Sequence, residues 1–299
     1  MQARLPFLVS AVFHYLGPAF AVLLFARVDV LGVAWLRIAA AALVFALWRR
    51  PWHVLRNPTV ITWGIVLALM NCCFYAAIDR LHLATVAAIE FLPVIVLAAV
   101  GARSKRNAAA LALAVPGVYL LTGVHLEGEA LGVALAFANA GLFAAYIVLA
   151  HRVASDPQIA GIDGLAGAML IALVAVTPIA GWAAVPAFTD PVALAAGIGV
   201  GISSSVIPYV ADQVAMARLT RAAYALMVSL LPATATVVGL LVLTQVPSAT
   251  DALGIALVIV GVALHREPTP PPAAPPSPPP RSSPAATPIP AVSGTHAHP

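Results

Sequence analysis

The chain has 299 residues, of which 62% are hydrophobic and 9% charged, with a mean hydropathy of +0.99 and a formal net charge of +4. A soluble globular domain carries about a quarter charged residues, so a water-soluble fold is excluded and the bilayer has to serve as solvent. The only two cysteines, Cys72 and Cys73, are adjacent in an apolar stretch, which excludes a disulfide framework and a spaced thiolate metal site.

Apolar runs of about 17–25 residues mark membrane-spanning helices. In chain order they are predicted near 5–26, 30–48, 59–78, 84–101, 107–124, 130–150, 162–182, 191–211, 219–243 and 250–265. Arg4 precedes the first run, which is long enough to span and lacks an A-x-A-like cleavage site after it. It therefore reads as a retained helix rather than a signal peptide. The runs are continuously apolar, not alternating, which excludes a transmembrane β-barrel. The expected fold class is an all-α membrane protein with ten transmembrane helices.

From Pro268 the composition changes to Pro, Ala, Ser and Thr, so residues 268–299 are predicted to form a disordered proline-rich tail. Its PxxP spacing suits an SH3-type groove, an unstructured extension being the plainer reading. His296 and His298 are too sparse for a metal tract.

With the N-terminus cytoplasmic, eleven basic residues (Arg4, Arg49, Arg50, Arg56, Arg103, Lys105, Arg106, Arg152, Arg218, Arg221 and Arg266) fall on the inner side, against Arg27 and Arg80 outside. The count leaves out Arg281 in the tail and Arg37 inside a span. This asymmetry predicts that both termini are cytoplasmic, and it agrees with an even number of spans.

The two halves echo each other. AIDRL at 77–81 recurs as AMARL at 215–219, with Pro93 and Pro232 following at similar distances. LALAVPGVYL at 111–120 recurs as IALVIVGVAL at 255–264, with Gly117 matching Gly261. The expected organisation is a five-helix repeat over 1–125 and a second over 126–267. Five is odd, so the second copy has to insert upside down, the inverted topology of many secondary transporters, with a cavity between the halves near the midplane.

Glu90, in TVAAIEFLPVIVLAAV, is the sharpest candidate. A carboxylate in hydrocarbon is costly unless paired, protonated or hydrated, so it reads as functional or as half of a structural ion pair. Arg37, in GVAWLRIAAAALVF, is expected at similar depth, on the order of 10 Å below the outer edge. It either pairs with Glu90 or holds a substrate carboxylate. Asn71 in the third span either bonds substrate or joins two helices. His14 and Tyr15 lie midway along the first span, where a histidine relays protons or bonds a neighbouring carbonyl. Tyr75, Tyr146 and Tyr209 are candidates to line a cavity, packing being the alternative. Pro93 and Pro232 are expected to kink their helices, as are Pro116, Pro178 and Pro208. Ser203, Ser204 and Ser205 beside Pro208 permit close helix approach.

No GxxxxGK[ST], HExxH or GxSxG motif occurs. No enzyme activity, cofactor, metal or nucleic-acid partner is expected.

The stretches GVAWLRIAAAALVF with RRPW, MNCCFYAAIDRLHLATVAAIEFLP, AGLFAAYIVLAHRVA and VIPYVADQVAMARLTRAAYALMVSLLPATATVVG together resemble the EamA-type branch of the drug/metabolite transporter superfamily, and within it bacterial threonine/homoserine exporters. The resemblance implies an inverted five-plus-five basket in the inner membrane. It implies export of amino acids or related small metabolites, by proton antiport with alternating access. The matching positions are Arg37, Asn71, Tyr75, Glu90, Pro93, Tyr209 and Pro232. Where the family often has a glutamate before the second-half proline, this chain has Leu231. A usual Gly-Glu pair before the last outer loop reads Thr244-Gln245. Export of drugs, nucleobases or sugars stays open as an alternative, as does a membrane scaffold without transport.

Overall fold

The structure is a computed structural model that describes residues 5–101, 104–123, 129–154, 156, 159, 161–211 and 231–264. Every regular element among the described residues is helical. In chain order these are α1 (Leu5–Leu24), α2 (Val30–Arg49), α3 (Pro58–Ile78), α4 (Leu83–Gly101) and α5 (Lys105–Gly123). Then come α6 (Ala130–Ala154), α7 (Gly161–Ala180), α8 (Pro191–Gly201), α9 (Leu231–Leu243) and α10 (Ala249–Leu264). Past Gly201 the eighth helix makes a π turn over Ile202–Val206 and resumes to Ala211. Short 3₁₀ segments at Trp52–Val54 and Trp182–Thr189 were not anticipated by the apolar runs. The AMARL copy, the first part of the predicted ninth span and the proline-rich tail lie outside the described residues. The described residues all belong to one compact unit.

Five segments among the described residues are long and apolar enough to cross a membrane: Val30–Arg49, Pro58–Ile78, Ala130–Ala150, Gly161–Ala180 and Pro191–Ala211. Leu47, Val174 and Leu241 are each more than 70% exposed, which suits side chains that face lipid. Trp52 and Trp182, also largely exposed, sit at helix ends, where amphipathic rings meet headgroups.

Local chemistry sets the helix starts. Asn57 Oδ1 accepts from the Thr59 and Val60 amides, and Pro58 follows at the first helical position, where its missing N–H costs nothing. Asp190 and Pro191 begin α8 the same way, with Asp190 Oδ1 accepting from Val192 and Ala193. Ser248 and Asp251 form a reciprocal capping box at α10: the Ser248 amide donates to Asp251 Oδ2, and the Asp251 amide donates to Ser248 Oγ.

Between helices, glycines let backbones touch. A Cβ on Gly64 of α3 would lie 2.6 Å from Ile171 Cβ and 2.7 Å from the Ala168 carbonyl oxygen of α7. A Cβ on Gly201 of α8 would meet Ala40 Cβ at 2.6 Å and the Arg37 carbonyl oxygen of α2 at 2.7 Å. On α5, Gly117 faces the Gly254 carbonyl and Val258 of α10; on α10, Gly261 faces the Ala110 carbonyl and Ala114 of α5. These pairs run in opposite directions along the two chains, so α5 and α10 are antiparallel. Close approach of this kind drives helix association in lipid, where apolar side chains gain little by leaving the bilayer.

Candidate functional site

Glu90 of α4 is 7% exposed, flanked by the wholly buried Ala88 and Ile89. Among the described side chains, one bonds to it: Asn139 Nδ2 of α6 donates to Glu90 Oε1 at 3.2 Å. Asn139 is 0% exposed and its Oδ1 has no partner.

Arg37 of α2 is 8% exposed and makes no salt bridge with Glu90, so the direct pair allowed by their depths does not form. A different set of groups holds the guanidinium. Its Nε donates to Ser205 Oγ and its Nη2 to the Ser204 carbonyl, both at 3.0 Å. In an α-helix the Ser204 carbonyl would accept the amide of residue 208. That residue is Pro208, which has no N–H. The proline and the π turn before it thus leave an acceptor inside the helix bundle, and Arg37 uses it. Gly201 brings the backbones of α2 and α8 together at this level. The Tyr75 ring of α3 covers the guanidinium at 5.4 Å, a cation–π contact that also offsets burial.

The two charges are near enough to act on each other, and Tyr15 of α1 lies within the field of Glu90. The hydroxyls of Tyr15 and Tyr75 are buried without partners. The cluster therefore holds a guanidinium, a carboxylate and three unpartnered polar atoms in an apolar surround. Each buried polar atom left unpaired costs about 1–3 kcal/mol, so partners of complementary charge and hydrogen-bonding character would offset that cost.

The other candidates are placed less centrally. His14, half-buried, makes an edge contact with Tyr15 and lies within the field of Arg37. Asn71 bonds back to the Leu67 carbonyl one turn earlier on its own helix. Tyr146 and Tyr209 pack in a separate apolar cluster with Trp63 and Leu67. Pro93 lies within α4, and Pro232 is buried at the described start of α9. Asn139 was missed by the sequence reading, and Ser204 and Ser205 were read as packing residues. An amide inside the apolar AFANAGLF run was the available signal for the first.

The departure at Thr244-Gln245 has a structural meaning. Thr244 takes a left-handed φ of 54°, the conformation glycine adopts without strain. Gln245 Oε1 accepts the Leu83 amide at 3.0 Å, capping α4 from the second half of the chain. A glutamate would supply the same kind of oxygen. Asp251 and Thr85 line a water-sized space beside this contact.

Among the described residues, two arginine–aspartate pairs join distant segments. Arg27 meets Asp190 at 2.9 Å, and Arg49 at the end of α2 meets Asp163 in the first turn of α7 at 2.7 Å. The Ala193 amide first, and Arg27 next, hold the Asp190 carboxyl below its ordinary range.

Residues 130–266 match the EamA-like transporter family, so the second half carries a domain of that kind. Threonine/homoserine exporter RhtA of Salmonella typhimurium LT2 is 26% identical over 264 residues, covering 84% of this chain and 88% of its own. The exporter of the same name from Escherichia coli K12 is 26% identical over 256 residues, covering 81% of this chain and 84% of its own. One solved crystal structure superposes with a TM-score of 0.57 at 20% identity, over 88% of this chain and 96% of that chain, which bears on the fold alone. The family match and the distant homology agree with the resemblance read from the motifs. They point to an integral membrane transporter rather than an enzyme.

Proposed function

We propose that this chain is a secondary exporter of small amino acids of the threonine/homoserine type, working by alternating access and driven by proton antiport. The observation that carries the reading is the central pair of opposite charges. Arg37 and Glu90 are each buried and each held by neutral groups, and they do not neutralise one another. Arg37, with the Tyr75 hydroxyl beside it, receives the substrate carboxylate. Glu90 with Asn139 receives the ammonium. Tyr15 stands near Glu90 to bond a hydroxyl on the substrate side chain. A proton arriving from the outer side then takes the place of the ammonium on Glu90 and resets the carrier.

Several observations support an inverted five-plus-five repeat in the inner membrane with both termini cytoplasmic. The α5–α10 contact is reciprocal under the pairing of Gly117 with Gly261: the same shift pairs Ala110 with Gly254, and each glycine faces the carbonyl of the opposite member. A reciprocal contact between antiparallel helices is what a two-fold axis in the membrane plane produces. Packing partners repeat as well: α1 lies on α8 and α9, as α6 lies on α3 and α4. The basic residues favour the stated orientation.

The test is threonine and homoserine efflux from preloaded cells carrying wild type, Glu90→Gln or empty vector. We expect faster efflux with wild type and loss of that excess in Glu90→Gln. Equal efflux in all three removes these two solutes and directs the search to other solute classes. Efflux that survives Glu90→Gln with its pH drive intact removes the proton-coupling role.

A further inference from the structure

Within the proposed exporter, on which this inference rests, the coupling between proton and substrate has a physical carrier. An asparagine amide has two faces of opposite character, an NH₂ that only donates and an oxygen that only accepts. Asn139 shows the first to Glu90 and leaves the second buried and unpartnered. That arrangement suits a charged Glu90, which only accepts. A protonated Glu90 reverses the requirement, because its O–H needs an acceptor. Half a turn about the Asn139 Cβ–Cγ bond supplies one. The amide is wholly buried and, among the described residues, makes no other hydrogen bond, so of these only Glu90 fixes which end faces the carboxyl.

We propose that Asn139 reads the protonation state of Glu90 by turning its amide over, and so converts proton binding into substrate release. With Glu90 charged, the carboxylate and Asn139 Oδ1 together present two acceptors to the substrate ammonium. When a proton binds Glu90, the new O–H donates to Oδ1 and the NH₂ swings to where the ammonium sat. The ammonium then loses a negative charge and an acceptor, and meets a donor instead. Binding of proton and substrate becomes mutually exclusive, as antiport requires. Among the described residues, the charged or titratable groups that act on Glu90 are Arg37 from α2 and Tyr15 from α1. His14 adjoins Tyr15, Tyr75 of α3 covers Arg37, and Asp251 of α10 and His82 lie by the first turn of α4. Among the described side chains, α5, α6 and α9 direct no further charge at Glu90.

The test is an infrared pH titration of the reconstituted full chain with its asparagine side-chain carbonyls carrying ¹³C. Bands are assigned by Glu90→Gln and Asn139→Leu. We expect the Glu90 carboxylic-acid band and a shift of the Asn139 carbonyl to appear with one midpoint, and the Asn139 shift to vanish in Glu90→Gln. An Asn139 carbonyl that stays fixed, whether or not Glu90 titrates, overturns the proposal. A transport arm compares threonine counterflow, which needs no gradient, with pH-driven uptake in vesicles. Asn139→Leu should exchange threonine with a raised KM and lose pH-driven uptake by about tenfold or more, a coupling of the usual allosteric size. The nearly isosteric Asn139→Asp, which cannot donate to a charged Glu90, should lose the same coupling. Equal effects on both transport modes would make Asn139 structural only. A wild type that moves no threonine removes the assigned solute, and the infrared result still decides the amide.

Discussion

Helices α3 and α8 are built alike at their ends and differently in their middles. Both begin with an Asx cap and a proline, and both press a glycine backbone onto a neighbour: Gly64 onto Ile171 and Ala168, Gly201 onto Ala40 and Arg37. The two nearest atoms correspond, a Cβ and a carbonyl oxygen three residues before it, with Ala168 standing where Arg37 stands. Beyond that level α3 continues regularly through Asn71 and Tyr75, whereas α8 loosens into a π turn and offers Ser204 and Ser205 to Arg37. The contacts where backbones touch are duplicated. Among the described residues the charges are not: Arg37 and Glu90 both come from the first half, and the described part of the second half answers with neutral groups, Asn139, Ser204 and Ser205.

The glycine contacts give the sharpest way to break this likeness, and the largest effect. Gly64→Val and Gly201→Val each drive new carbons into backbone and β-carbon atoms that cannot rotate away. Overpacking typically costs about 1–3 kcal/mol, and rigid neighbours put these sites at the upper end. Both variants should lose most of the monodisperse fraction on size-exclusion chromatography in detergent. The milder Gly201→Ala still pushes on Arg37 and should reduce transport more than it reduces folded yield, while Gly64→Ala should change the two together. Equal behaviour of the alanine variants would show that Arg37 does not depend on the π turn of α8.

A smaller effect is expected at the Gln245 contact with α4. Gln245→Ala leaves the Leu83 amide without its acceptor, and removal of a helix cap costs about 0.5–2 kcal/mol. The variant should unfold at lower temperature, and Gln245→Glu should restore the wild-type value. Failure of the glutamate to restore it would mean that the cap is not what this position supplies.

The helices were legible because apolarity and run length suffice for them: the apolar runs predict the helix bounds to within a few residues wherever the chain is described, and five of the described helices are long enough to span. Arg37 and Glu90 were legible because charge in hydrocarbon is conspicuous. Their relation was not, since equal depth says nothing about azimuth around a helix, and it is azimuth that turns Arg37 to Ser205 and Glu90 to Asn139. Asn139 was hidden by its neutrality among alanines. The acceptor on Ser204 needed two facts at once: a proline four residues on, and a glycine on the facing side that lets Arg37 approach. Tyr146 and Tyr209 carry the right chemistry in the other apolar cluster, a sorting no local pattern encodes.

The smallest effect separates the two caps themselves. Asn57 and Asp190 hold the same pair of amides, one without charge and one with it. The folded Asp190 carboxyl lies below its ordinary range, through the Ala193 amide and then Arg27. Its contribution is therefore complete above the unfolded value, about 3.9 for an aspartate, and is lost as pH falls through the lowered folded value. Asp190→Asn should cap α8 as Asn57 caps α3, give up the Arg27 ion pair and remove this one source of acid sensitivity. Detergent-purified wild type and variant, melted from pH 6 down to pH 3, should differ at pH 6 and converge on acidification. Curves that stay parallel across that range would show that the charge on Asp190 does nothing the neutral cap does not. The likeness between α3 and α8 would then extend through their first turns.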